Sequence, residues 1–198
     1  MFYNTKLNDH KLPYNPFKAC VVPRPIGWIS TQNDQGIVNL APYSYFNAVS
    51  DVPPIVMFSS SVHPDGVEKD SLRNIEASGE FVVNIASYGS HEQVNLSSSN
   101  LPYGVSEADH FNIEMLRSIL VKPPRVKSAF VSLECKHLKT VALEPSSCKM
   151  ILGEVVGIYI DDNVLTDGKV DIAKLRPIAR LGYNEYAVID KVFKMTRS

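Results

Sequence analysis

Apolar positions come in short bursts between turn residues, and alternation recurs more often than helical spacing. Val131, Leu133 and Cys135 alternate with Ser132, Glu134 and Lys136, the pattern of a strand with one wet face. Ile26, Trp28 and Ser30 fall on one side of an earlier strand, with Pro25, Gly27, Ile29 and Thr31 on the other. Asn33-Asp34-Gln35-Gly36 then marks a turn, and 37–46 reads as the returning arm of a hairpin. Pro53-Pro54 resets the chain before a strand over 55–60, and 81–86 is a short β-branched strand. The apolar run 150–160 carries Gly153 and Gly157, which predict bends or bulges.

Helical spacing is confined to brief segments. Residues 68–78 put Leu72 and Ile75 on one face, and Gly79 suits the position just past a helix end. Ser90 with Gln93 resembles a capping box that opens a helix running to about Ser97. Ser106 is expected to cap a third short turn, and 171–175 forms a fourth that Pro177 stops. Strands throughout, with helices inserted between them, predict a mainly β barrel with short helical decorations rather than alternating βαβ units.

Composition narrows the function classes. A chain of 198 residues with 44% hydrophobic content supports one good core, so 1–198 is expected to form a single domain. A net charge of −1 without a basic stripe argues against a nucleic-acid partner. Three widely spaced cysteines without CxxC predict no disulfide framework and fit a reducing compartment. The first fifteen residues lack an apolar signal core, and no run of about 18 apolar residues exists. The expected location is therefore cytoplasmic, with no membrane partner.

Familiar chemical motifs are missing: GxGxxG after a strand, GxxxxGK[ST], HExxH, paired CxxC and GxSxG. Cys135 and His137 share a strand face but have no further ligands, so no metal is expected. His63 lies in a Ser-Val-His-Pro-Asp-Gly loop that can border a ligand or be a plain turn. Around Gly66–Leu72 a glycine-bearing loop runs into a helix start with Lys69 and Ser71. Free amides, a helix dipole, a hydroxyl and an ammonium there can hold a phosphate, though an ordinary capped helix uses the same residues. Pro23 and Pro25 fix the backbone around Arg24, which can aim its guanidinium at an anion. Residues 39–47 (NLAPYSYFN) mix aromatics with small polar groups, which suits a flat heterocycle, a barrel core or a subunit seam equally.

Taken in order, PRPIGWIST, NLAPYSYFNAVS, DVPPIVMFS, KDSLRNIEASGEFVVNIA, VKPPRV, LECK, GEVVGIYIDD and RPIARLGYNEY resemble the flavin reductase-like, FMN-binding split-barrel family, on its flavoredoxin side. The resemblance covers nearly the whole chain. It implies a six-stranded antiparallel Greek-key split barrel, a homodimer, and non-covalent FMN near the subunit interface. Carried onto this chain, Arg24, Ser30 and Thr31 border the flavin, and Phe46, Asn47 and Ala48 lie along its ring, partly through backbone groups. Lys69, Asp70 and Ser71 form the phosphate end, and Arg180 lies near the cofactor or the partner subunit. Tyr183 stands where the family often has a second glycine, and Ser71 where threonine is commoner.

The activity implied is hydride transfer from NADH or NADPH to the flavin, with electrons passed on to an acceptor such as a monooxygenase partner or a small protein. An FMN electron carrier without its own NAD(P)H activity, and a non-enzymatic flavin-binding dimer, are the alternatives. No side chain is assigned as a catalytic acid or base, because the flavin carries the chemistry.

Overall fold

A computed structural model describes residues 1–62 and 66–196. In chain order the strands are β1 (Arg24–Pro25), β2 (Gly27–Gln32), β3 (Val38–Tyr43), β4 (Phe46–Asp51), β5 (Pro54–Ser60), β6 (Glu80–Ile85), β7 (Met115–Leu116) and β8 (Arg125–Val126). They continue as β9 (Val131–Ala142), β10 (Lys149–Ile160), β11 (Leu165–Thr166), β12 (Lys169–Val170), β13 (Ile178–Arg180) and β14 (Tyr186–Val188). The helices are α1 (Phe17–Cys20), α2 (Asp70–Ser78), α3 (His91–Leu96), α4 (Glu107–His110) and α5 (Ile172–Leu175).

The main sheet has seven antiparallel strands in the order β3-β2-β6-β9-β10-β5-β4. Its two outer strands, β3 and β4, are consecutive in the chain and joined by Ser44 and Tyr45. Counted as one bent path, they close the order into the six-stranded split barrel with a Greek-key crossover from β5 to β6. The expected single strand over 37–46 breaks because the chain changes partner there: β3 pairs with β2, and β4 with β5. The register of β9 against β10 shifts between Leu152 and Gly153 and again between Val155 and Gly157, at the two glycines read as bends. Gly153 has a steric reason too. A Cβ there would lie 2.3 Å from Cζ of the fully buried Phe81.

Alternation along β2 and β3 sorts side chains into two cores. Ile29, Tyr43, Phe46, Phe58, Phe81 and Ile151 fill the barrel, where α2 adds Leu72 and Ile75. Trp28, Leu40, Val94, Ala108, Val126 and Ile178 fill the space on the opposite face of β2 and β3. A three-stranded sheet, β1-β13-β14, stands beside the barrel and sets Arg24 opposite Arg180. α2 ends at Gly79, whose φ of 72° is the left-handed cap expected there. The helix after Ser90 departs from its expected capping. Ser87 and Ser90 form the capping box of a single 3-10 turn, and α3 follows it. Ser106 caps α4 as expected, its Oγ accepting from the Asp109 amide at 3.2 Å. Among the described residues no helix is long and apolar enough to cross a membrane.

Candidate functional site

The site grows from β3. Asn39, Ala41 and Tyr43 alternate onto one face of that strand and line a cavity of about 200 Å³. The first turn of α2 (Lys69, Asp70, Ser71) forms the second wall, and residues 97–101 with Glu107 close the rest. Lys69 occupies the N-cap position with an extended backbone and supplies no side-chain cap. Its Nζ lies 5.8 Å from the centre of the Tyr43 ring. Ser71 is buried and its hydroxyl accepts from Asn39 Nδ2 at 2.7 Å.

Two groups at this cavity carry unusual electrostatics. The Tyr43 hydroxyl is buried, with the Ser71 and Ser60 hydroxyls close by but no well-formed hydrogen bond among the described residues. Burial raises its pKa above the ordinary phenol value, and the charges of Glu107 and Asp70 add to that, while the nearby Ser71 and Ser60 hydroxyls oppose it. Tyr43 is therefore a neutral O–H donor held against the cavity. Glu107 is buried as well. Burial raises its carboxyl pKa, and the Asp70 charge adds to the rise, although the Leu40 amide donates to its Oε2 at 2.9 Å. That bond also satisfies an amide of the outer strand β3.

The sequence-predicted residues do not all come together. Lys69, Asp70 and Ser71 meet at the cavity, as the helix-start argument requires. Asn47 and Ala48 lie exposed on the outer strand β4, beside the inward Phe46 ring, so a flat ligand along β4 would meet Phe46 only through its backbone. Ser30 and Thr31 point to opposite faces and are already bonded. The Ser30 hydroxyl donates to the Pro124 carbonyl at 2.6 Å, and Thr31 Oγ1 accepts from Asn74 at 3.1 Å.

Arg24 departs from the expected aim at an anion. It is buried, and its guanidinium donates to the carbonyls of Lys18 (2.5 Å), Val21 (2.6 Å) and Leu181 (2.9 Å). Among the described residues its Nε has no partner. The proline-fixed backbone makes Arg24 a clamp on the chain ends beside β1, with its guanidinium 5.8 Å from the Tyr45 ring. Arg24 against Tyr45 and Lys69 against Tyr43 thus bracket the corner where β3 becomes β4. Arg180 is likewise engaged, bonding the Tyr186 hydroxyl and the Tyr183 carbonyl. Tyr183 has a φ of 56°, the left-handed region that glycine favours, which accounts for the glycine expected at that place. His63 lies outside the described residues. Cys135 is fully buried, and burial pushes its thiol pKa up; the His137 ring bonds Thr140 instead. Among the described residues no group of three or more His, Cys, Asp or Glu is placed to hold a metal.

A family profile described as "Flavin reductase like domain" matches residues 19–178. The chain belongs to the flavin reductase-like family. A relative from Aquifex aeolicus, described as an uncharacterized protein, is 38% identical over 187 residues, covering 94% of each chain. The crystal structure of nitrilotriacetate monooxygenase component B from Bacillus cereus superposes with a TM-score of 0.90 at 28% identity, over 98% of each chain. Flavoredoxin of Desulfovibrio vulgaris (Miyazaki F) shares the fold, with a TM-score of 0.79 at 17% identity over 90% of this chain and 93% of that one. For this flavin reductase-like chain a flavin is the implied cofactor. The donor set fits its phosphate end: an unmatched buried phenol, a serine hydroxyl, an ammonium and a helix start whose N-cap residue gives no side-chain cap. Sequence reading passed over Tyr43, Asn39 and Glu107 as individuals. The first two lie within the 39–47 stretch it singled out, and strand alternation puts them on one face. Glu107 reaches the site through a contact between α4 and β3 that no local pattern signals.

Proposed function

We propose that this chain is an FMN-dependent oxidoreductase that takes hydride from NADH or NADPH and passes electrons to an acceptor, acting as one FMN-binding domain in a homodimer. The observation that carries the reading is a cavity lined by Tyr43, Lys69 and Ser71, with the buried Tyr43 hydroxyl beside Ser71 and lacking a well-formed hydrogen bond among the described residues. Lys69 supplies charge to the FMN phosphate, and the Tyr43 and Ser71 hydroxyls and the first amides of α2 donate to it. A whole flavin does not fit about 200 Å³, since sites for ligands of that size run to about 300 Å³ and above. The ring therefore lies along Asn47 and Ala48, with the bracketed corner fixing its distance from the phosphate.

A second copy covers that ring. Val49 and Val52 stand 53% and 85% exposed next to Asn47 and Ala48, an apolar margin that association would bury. Bound FMN supplies the two-electron chemistry, and the chain's residues align it and exclude water around it. The acceptor is taken to be a monooxygenase component, as the name of the Bacillus cereus neighbour suggests. The cytoplasm, as for other NAD(P)H-dependent chemistry, is the proposed location.

Titration of purified protein with FMN, followed by assay of NADH and NADPH oxidation, tests this. FMN binding that is lost in Lys69→Ala, together with flavin-dependent oxidation of either nucleotide, is expected. Binding without nucleotide oxidation would leave an electron carrier. Absence of FMN binding would refute the assignment.

A further inference from the structure

The cavity at the start of α2 carries an excess of acid for a phosphate site. Its charged lining residues are Lys69, Asp70 and Glu107, one ammonium against two carboxyls. The 97–101 segment adds hydroxyls and an amide but no charge, and β3 adds Asn39 and the Tyr43 phenol. A phosphate monoester, whose second pKa is about 6, is largely a dianion near neutral pH. It would therefore enter a cavity whose own charge already repels it, unless one carboxyl gives way.

The two carboxyls are not equivalent. Asp70 is the first residue of α2, a helix of nine residues, where the positive end of the dipole favours a carboxylate. Glu107 opens α4, which has four residues, and is buried. It forms no ion pair among the described residues. Its carboxyl meets the Leu40 amide, at 2.9 Å from Oε2, and the charge of Asp70. Burial already raises its pKa, and Asp70 adds to the rise. The titratable groups around it are Tyr43 on β3, Lys69 and Asp70 on α2, and the exposed Asp109 and His110 on α4 itself. When a dianion joins two carboxyls in one cavity, the proton settles on the carboxyl least supported as an anion. That carboxyl is Glu107. With Oε2 held by the Leu40 amide, the proton sits on Oε1.

We infer that FMN binding in this cavity draws one proton from solvent onto Glu107, so that the chain holds its cofactor tightly at low pH and releases it as pH rises. The inference rests on the flavin reading above and adds its regulation. The proton returns to solvent when FMN leaves, and no electron moves. Affinity is highest where Glu107 is protonated in the empty cavity. It falls about tenfold per pH unit where only the complex holds the proton.

Isothermal titration of FMN from about pH 6 to about pH 8, in pairs of phosphate-free buffers that differ in ionisation heat, counts the protons exchanged. Glu107→Gln has no carboxyl to protonate, so its titrations subtract whatever the phosphate itself gains or loses. At its steepest, the parent is expected to take up close to one proton more per FMN than Glu107→Gln. Glu107→Asp, which keeps a carboxyl, is expected to keep the uptake, whereas a merely structural role would be served by Gln. Equal proton counts in the parent and Glu107→Gln overturn the inference and leave the flavin reading standing. FMN bound by none of the three overturns both. If melting curves or titrations show that the variants do not fold or do not bind, the parent decides alone. Net uptake then supports the inference, and release or no exchange at every pH overturns it.

Discussion

Replacing Tyr43 by Phe should move stability and cofactor affinity in opposite directions. The hydroxyl is buried with no well-formed hydrogen bond among the described residues, and an unmatched buried polar group costs about 1–3 kcal/mol. The Ser60 and Ser71 hydroxyls stand close enough to offset part of this, so the low end, about 1 kcal/mol, applies. Phe keeps the ring, whose centre lies 4.7 Å from that of Phe58, and leaves the barrel core filled. The ligand-free variant should therefore melt about 2–4 °C higher, the shift that 1 kcal/mol produces in a chain of this size. With FMN bound the same hydroxyl donates to the phosphate, and a hydrogen bond to a charged group is worth about 1.5–3 kcal/mol. Affinity should fall about 10- to 150-fold. The assay is built in. Trp28 is the only tryptophan, is fully buried, and donates its indole N–H to Ser97 Oγ, on the cavity wall, at 2.9 Å. Quenching of its emission on FMN titration gives the dissociation constant, and thermal melting gives the stability. A variant that melts lower than the parent and binds FMN equally well would refute the reasoning.

Glu107→Gln tests the raised carboxyl. The folded state holds this proton more tightly than the unfolded chain, so its stability contribution is full below the unfolded value, near 4.5, and is lost as pH rises through the higher folded value. Gln keeps an oxygen for the Leu40 amide and removes the charge; melting should rise at pH 7, stay level at pH 4, and FMN should bind more tightly at pH 7. Gly153→Ala drives a methyl into Phe81, at 2.3 Å, and should cost about 1–3 kcal/mol by overpacking, read as a lower midpoint in urea denaturation.

β2 and β9 were legible by their alternation, and β6 as a short β-branched run. The face of β9 read as wet is covered, however: Ser132 and Glu134 are buried, Ser132 donating to Asn84 Oδ1 and Glu134 accepting from the Ile119 and Leu120 amides. The break at Ser44 and Tyr45 was not legible, since it follows from a change of pairing partner rather than from any turn residue. The place of Lys69 and Ser71 at the opening of α2 was readable because a helix start is a local signal. The partners of Arg24 were not readable, for a matching reason. Two prolines announce a rigid backbone, but whether the guanidinium meets an anion or backbone carbonyls depends on Lys18, Val21 and Leu181, the last of them 157 positions away. Ser30 and Thr31 were grouped by adjacency, although neighbours on a strand face opposite ways.

The partner change at Ser44 and Tyr45 has a mechanical consequence. Every other adjacent pair of strands in the barrel is stitched by a ladder, whereas β3 and β4 are held together by covalent chain and by packing. Widening the wall at that gap breaks no ladder. The resistance comes from the Phe46 ring lying against Gly27 and from the Ser59 amide bonded to the Tyr45 carbonyl at 2.9 Å. At this one place the barrel wall is closed by side-chain packing and a single backbone bond, so substitutions of Phe46 or Gly27 bear on closure more directly than those along any paired strand.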